Sequence, residues 1–336
     1  MRDIRYAVVG FGLAGSVFHA PLIATTPGCR LAAVVARSES SRTAAATQYP
    51  SVEVVPDTDS LRNLDIDVAV VATPNATHAT IAGALIEAGI ATVVDKPLAT
   101  DVASALCLIE SAERFGVVLT CYQNRRWDGD FATVRELARS GRLGRVHRLE
   151  SRFERWRPAV KSGWKEQPAP GSGVLWDLGP HVIDQAMVLL GPVTETRGWV
   201  RTVRSGAQVP DDAFVGLRHE SGAVSQLWVS LVTAAPGPRF RVLGDRAAYV
   251  KDGLDPQEDD LRRGARPGGG PWGVEATAMA GSLMTGDETV PIATVPGDYP
   301  DFYRRMTACL RGEGPVPVDP RDSLAALEVI EQISGY

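Results

Sequence analysis

At 336 residues the chain exceeds what one compact core usually holds and suggests two domains, and its 44% hydrophobic and 22% charged content is that of an ordinary globular protein. A net charge of −5 argues against nucleic acid or an anionic membrane surface as a partner. With no apolar run near the roughly 20 residues of a membrane helix, no secretory leader and no C-x-x-C pair among its cysteines, the predicted setting is cytoplasmic.

Through residue 121, apolar β-type runs alternate with helical patterns. Strands are predicted at 5–9, 31–36, 52–55, 68–72, 91–94 and 117–121, and helices at 15–25, 40–49, 77–88 and 101–115. Runs such as Val68-Ala69-Val70-Val71 are apolar on both faces, as in a parallel sheet covered by helices on both sides. The alternation predicts an α/β, doubly wound Rossmann domain over 1–121. From residue 122 the texture changes. A helix over 130–139 ends at Ser140-Gly141, and strand patterns follow at 145–156, 195–203, 213–220, 223–232, 239–243 and 247–250. One helix, 179–190, interrupts them and stops at Gly191-Pro192. Consecutive strands, with a hairpin turn at 219–223, predict an α+β second domain over 122–336 with an open, mostly antiparallel sheet. Residues 255–273, rich in Gly, Pro and charge, read as a surface loop, and helices close the chain at 298–311 and 321–333.

The first strand–helix connection carries Gly10-Phe11-Gly12-Leu13-Ala14-Gly15. In a G-x-G-x-x-G turn the first glycine makes the tight bend and the second lets a pyrophosphate approach the backbone. The third lets helix and strand pack, with the helix N-terminus facing the anion. At the end of the second strand, NAD enzymes usually carry an acidic residue for the ribose 2′-hydroxyl. Here the residues are Ala36-Arg37-Ser38. Arg37 can bind a 2′-phosphate through charge-assisted hydrogen bonds, helped by the Ser38 hydroxyl, so NADP is the preferred cofactor. Glu39 is near enough to serve NAD, and Arg37 could instead stack on the adenine.

Thr73, Pro74, Asn75 and His78 leave the fourth strand at the sheet edge that lines the cofactor crevice. Asn75 and His78 are candidates to meet the nicotinamide ribose, and Thr77 to cap a helix. Asp95-Lys96-Pro97 ends the fifth strand. Only four of the 35 basic residues are lysine, so one locked between an apolar strand and a proline suggests a group that must titrate. Beside a cationic nicotinamide, Lys96 becomes a general acid/base candidate; paired with Asp95 it would be surface charge alone. Further on, Pro180 suits the first turn of a helix. Asp177 then just precedes the helix, as catalytic partner or cap, His181 sits in its first turn, and Asp184 follows one turn later. No further ligand cluster supports a metal site at these residues, so no metal is predicted. Asn124 and Arg125 are candidate contacts to cofactor and substrate. Trp164-Lys165, like Arg155-Trp156-Arg157, could line a sugar-binding wall or a subunit interface.

Together these pieces resemble the glucose–fructose oxidoreductase / inositol dehydrogenase (Gfo/Idh/MocA) family over essentially the whole chain. That family's E-K-P lysine and D-x-x-x-H pair form a catalytic trio, which here would be Lys96, Asp177 and His181. Asp95 replaces the glutamate of E-K-P. Val17-Phe18-His19-Ala20-Pro21-Leu22, Asn124-Arg125-Arg126-Trp127-Asp128 and Asp177-Leu178-Gly179-Pro180-His181 look more narrowly like the branch containing NADP-dependent scyllo-inositol dehydrogenases and related sugar or aldehyde reductases. The resemblance implies hydride transfer between NADP and a secondary alcohol or ketone of a cyclitol or sugar, in a homodimer or homotetramer built on the second-domain sheet. The rival readings are a reductase of a ketosugar or aldehyde, a non-catalytic NADP-binding sensor, and cofactor-assisted glycoside hydrolysis.

Overall fold

The computed structural model describes residues 2–161, 163–286 and 288–335. The chain divides into two compact units. One comprises Met1–Asn124, Gln257–Trp272 and Asp298–Leu324, and the other Arg125–Pro256, Gly273–Gly297 and Ala325–Tyr336. The sequence reading assigned all of 122–336 to a second domain, whereas two later stretches lie with the first unit.

In the first unit, β1 (Ile4–Val9), β2 (Cys29–Val35), β3 (Glu53–Val55), β4 (Val68–Val71), β5 (Ala91–Asp95) and β6 (Leu119–Tyr122) form one parallel sheet ordered β3-β2-β1-β4-β5-β6. The order reverses between β1 and β4, and a doubly wound sheet opens its ligand crevice at the carboxyl ends of the strands there. Both strands at this switch point are buried along their centres. Tyr6, Ala7 and Val8 of β1, and Val68 through Val71 of β4, have no exposed surface. Such two-sided burial requires apolar side chains at successive positions, which is what the sequence supplies. Helix Pro300–Leu310 returns late in the chain and buries Phe302, Tyr303 and Met306 completely, with the Tyr303 ring 5.7 Å from that of Tyr6. Within 255–273, read from sequence as a loop, a short helix spans Gln257–Arg262 and buries Gln257 and Leu261. Six residues are too few to show a helical period.

The second unit holds β7 (Val146–Glu154), β8 (Val193–Arg201), β9 (Asp212–His219), β10 (Val224–Ser230), β11 (Phe240–Gly244), β12 (Ala248–Lys251), β13 (Gly281–Thr285) and β14 (Glu288–Ile292). They form one sheet ordered β14-β13-β12-β11-β7-β10-β9-β8, antiparallel except where β7 meets β10. Helix Val174–Leu190 packs on β7, β9 and β10. Ala213, Val215, Leu217, Leu227 and Val229, at alternate positions, are buried. The intervening positions carry an aromatic row: Trp199 lies 4.6 Å from Phe214, Phe214 lies 5.2 Å from Trp228, and the Arg152 guanidinium sits 4.0 Å over Trp228. Among the described residues no helix is long and apolar enough to cross a membrane.

Candidate functional site

The glycine turn divides its three tasks among its three glycines. Gly10 has φ +97°, and a Cβ there would stand 2.6 Å from the Ala72 carbonyl oxygen at the end of β4. A Cβ on Gly15 would stand 1.9 Å from the Gly10 carbonyl oxygen, so only glycine lets the helix seat against the turn. A Cβ on Gly12 meets nothing within 4 Å. The backbone is therefore bare where a pyrophosphate would approach, and the turn fits a dinucleotide. After it, Ala14–His19 forms a wider i→i+5 turn that runs into helix Ala20–Thr25. Phe11 is buried and Leu13 exposed.

Beyond β2, the Ser38 hydroxyl accepts from the Ser41 N–H (3.2 Å) and caps helix Glu39–Gln48, a task sequence reasoning did not assign to it. Arg42 pairs with Glu39 at 3.2 Å and donates to the Arg37 carbonyl, which occupies the one nearby carboxylate considered for NAD. Arg37 itself is exposed, with no ion pair among the described residues.

Next to β4, the Thr77 hydroxyl donates to the Pro74 carbonyl (2.7 Å) and lies 2.8 Å from the Thr73 hydroxyl instead of capping the helix, and Asn75 is buried. His78 is also buried. Its Nδ1 lies 2.8 Å from the Pro97 carbonyl oxygen and its Nε2 2.9 Å from that of Thr73. The ring thus fastens the loop after β4 to the loop after β5, and both nitrogens face protein carbonyls.

Lys96 is half-buried at the end of β5, and its peptide bond to Pro97 is cis. Asp95 accepts from the Lys96 backbone N–H at 2.9 Å. Its other oxygen lies 3.8 Å from Nε2 of His19, whose Nδ1 meets the Tyr303 hydroxyl at 2.6 Å. Burial pushes the Asp95 carboxyl up, but the His19 ring and the Lys96 charge outweigh it and hold the group below the usual carboxylate range. His19 and Tyr303 are fully buried. Sequence reasoning gave neither a role: His19 entered only as part of a family resemblance, and Tyr303 stands 284 residues away from it.

In the second unit, helix Val174–Leu190 starts five residues before the predicted position. Gly173 (φ +89°) precedes it, and Val174, Leu175 and Trp176 are buried apolar residues that extend it backward. Pro180 is therefore inside the helix, and His181 is one turn past Asp177 instead of in the first turn. The i,i+4 spacing puts Asp177 and His181 on one helix face. Asp177 receives the Lys165 ammonium at 2.6 Å. Arg204, buried, joins Glu166 (2.7 Å) to Asp211 (2.8 Å) and so fastens the segment that carries Lys165. Trp164 begins the short turn Trp164–Glu166, and its side chain lies outside the described residues. His181 stacks on Phe153 with ring centroids 6.3 Å apart, and the guanidinium of Arg125 stands 5.1 Å from the same ring. Arg125 is buried and lies 3.4 Å from Asp128. Asp184 accepts two hydrogen bonds from Arg126, at 2.8 and 2.6 Å. Among the described residues no group of three His, Cys, Asp or Glu side chains is arranged to hold a metal. Asn124 is buried at the end of the first unit.

A bare glycine turn at the switch point of a six-stranded parallel sheet, with a held lysine at the end of β5, defines the class: a nicotinamide-dinucleotide-dependent oxidoreductase. Residues 4–123 match the family model described as oxidoreductase family, NAD-binding Rossmann fold, and residues 131–250 match the GFO/IDH/MocA C-terminal domain. The chain is 40% identical to the oxidoreductase YdgJ of Escherichia coli, covering 98% of this chain and 95% of that one. It is 31% identical to scyllo-inositol 2-dehydrogenase (NADP(+)) IolW of Bacillus subtilis, covering 98% and 92%. The solved structure of the oxidoreductase yvaA from Bacillus subtilis superposes with a TM-score of 0.94 at 30% identity, covering 99% and 96%. The chain belongs to the Gfo/Idh/MocA family of oxidoreductases.

Proposed function

We propose that the protein transfers a hydride between NADP and a secondary alcohol or ketone of a cyclitol or sugar, in the cytoplasm. Bound NADP supplies the hydride acceptor or donor. Lys96 polarises the reacting oxygen, His181 exchanges its proton, and Asp177 orients the His181 ring and stabilises its charged form. The observation that carries this reading is the placement of Lys96. It stands at the carboxyl end of β5, on the edge where this fold holds its cofactor, and the preceding Asp95 accepts from its backbone N–H at 2.9 Å and lies 3.8 Å from the buried His19 ring. A silent sensor needs no lysine held in this way. Arg37, without a carboxylate partner beyond β2, favours the 2′-phosphate of NADP, and the name of IolW joins that cofactor to a cyclitol. We read the row Trp199, Phe214 and Trp228 as the face on which copies of the chain assemble, since aromatic side chains and arginine are enriched at interfaces. A panel of inositols, aldoses and ketoses, assayed with NADP and with NAD at the NADPH absorbance wavelength, tests the proposal. Growth of absorbance with NADP and a polyol supports it. Activity confined to aldehyde reduction transfers the assignment to the rival reductase, and glycoside cleavage without net cofactor use transfers it to hydrolysis.

A further inference from the structure

We propose that the stretch 257–272 is a second cofactor-binding element, and that Arg266 meets a phosphate of the bound dinucleotide. The inference rests on the dinucleotide site and not on the choice of NADP over NAD. Helix Gln257–Arg262 belongs to the first unit and packs on Ala14–His19, the segment that leaves the glycine turn. The Arg262 guanidinium stands 5.8 Å from the centroid of the Phe18 ring, and Leu261 is buried. The excursion is closed at its base. The buried Gln257 side-chain oxygen accepts from the Trp272 indole N–H at 2.8 Å and from the Tyr299 backbone N–H at 2.7 Å. A loop is thus rooted beside the turn that holds the dinucleotide.

Its three arginines are not equivalent. Arg262 pairs with Glu258 at 2.8 Å and Arg263 with Asp260 at 2.6 Å. Arg266 has no carboxylate partner among the described residues and donates only to the Ala265 carbonyl, at 2.9 Å. It is nevertheless half-buried, while Gly264 and Ala265 before it are exposed. Withdrawing a guanidinium from water without an anion is costly, and a phosphate offers the two-pronged acceptor that offsets the cost. Its position points the same way. The Arg266 charge reaches the Tyr49 phenol, where burial pushes the hydroxyl up and Arg266 draws it back. The Tyr49 ring stands edge-on to Phe11, 6.3 Å between centroids, and Phe11 lies between Gly10 and Gly12. The following Gly268, Gly269 and Gly270 present no side chains, so the backbone beside Arg266 can approach a ligand closely.

Fluorescence titration of the full chain with NADPH and with NADH tests this. Arg266→Ala should raise the NADPH dissociation constant roughly tenfold or more, the loss of one charged hydrogen bond. Arg266→Lys should recover part of that affinity, and Arg263→Ala in the same loop should leave it unchanged. Weakening with both coenzymes assigns Arg266 to the pyrophosphate, and weakening with NADPH alone assigns it to the 2′-phosphate. Unchanged affinity for both coenzymes, or an equal loss in Arg263→Ala, overturns the proposal. Failure of the NADP assignment would show separately, as equal affinity of the unaltered protein for the two coenzymes. A melting temperature preserved without cofactor shows that the variants are folded.

Discussion

Gly12→Ala adds one methyl group where the protein without ligand has room for it, since a Cβ there meets no heavy atom within 4 Å. Gly12 is also not among the glycines of positive φ, so alanine adopts its backbone without strain. The fold should therefore lose nothing, and the stiffer unfolded chain should stabilise it by about 0.4–1 kcal/mol. In a chain of this size that is a rise of no more than about 2 °C. Binding should respond in the opposite direction. The methyl occupies the approach of the pyrophosphate, and each charged hydrogen bond lost costs roughly 1.5–3 kcal/mol, about 10- to 100-fold in affinity. Gly15→Ala provides the contrast. Its Cβ would fall 1.9 Å from the Gly10 carbonyl oxygen, so backbone must move and the fold itself should lose about 1–3 kcal/mol. Thermal unfolding without cofactor and NADPH fluorescence titration separate the two effects. A Gly12→Ala protein that binds NADPH as tightly as the unaltered one would refute the reasoning, as would a Gly15→Ala protein of unchanged stability.

Arg37→Glu should weaken NADPH roughly tenfold or more while leaving NADH binding unchanged or improved; equal weakening of both in titration would contradict a 2′-phosphate contact. Burial holds the His219 ring below the ordinary imidazole range, with Nδ1 donating to the Gly191 carbonyl (2.8 Å) and Nε2 accepting from Ser225 (2.7 Å). Because the folded pKa is depressed, the unfolded chain binds more protons once the pH drops to about 6.5, and stability must fall as the pH goes lower. Melting temperatures of the protein and of His219→Gln across that range check this, and an equal slope in both would rule His219 out. Arg204→Met leaves Asp211 buried and still held ionised by the Val203 and Arg204 N–H groups, so it should cost about 3–5 kcal/mol. Denaturant unfolding that shifts by under about 1 kcal/mol would show the pair to be of little consequence.

The first sheet was legible because burial on both faces demands unbroken apolar strands, and Val68-Ala69-Val70-Val71 is short and mostly β-branched, as such a strand is. The glycine turn was legible because each of its glycines answers a separate steric demand. The second sheet showed its alternating strands but not β13 and β14. Gly281 opens β13, and β14 is exposed along Glu288–Val290 and contains Pro291, as an edge strand permits, so neither has a strong period-two signal. The start of helix Val174–Leu190 was misread because Pro180 is ordinarily a first-turn residue, and here it sits inside the helix. At the site, Lys96 could be singled out from its rarity and its proline. The buried Tyr303–His19 pair beside Asp95 could not, because Tyr303 reaches His19 across 284 residues. The return of Gln257–Trp272 and Asp298–Leu324 to the first unit was hidden for the same reason: it is a matter of long-range packing, and local periodicity does not record it.

The central claim is that Lys96 takes part in the chemistry and not in holding the cofactor, and Lys96→Ala tests it directly. Turnover of the best polyol in the panel should fall roughly 10²- to 10³-fold, the contribution of one donor that stabilises charge on the reacting oxygen, with NADPH affinity and melting temperature preserved. Turnover retained in a protein that still binds NADPH would contradict the account.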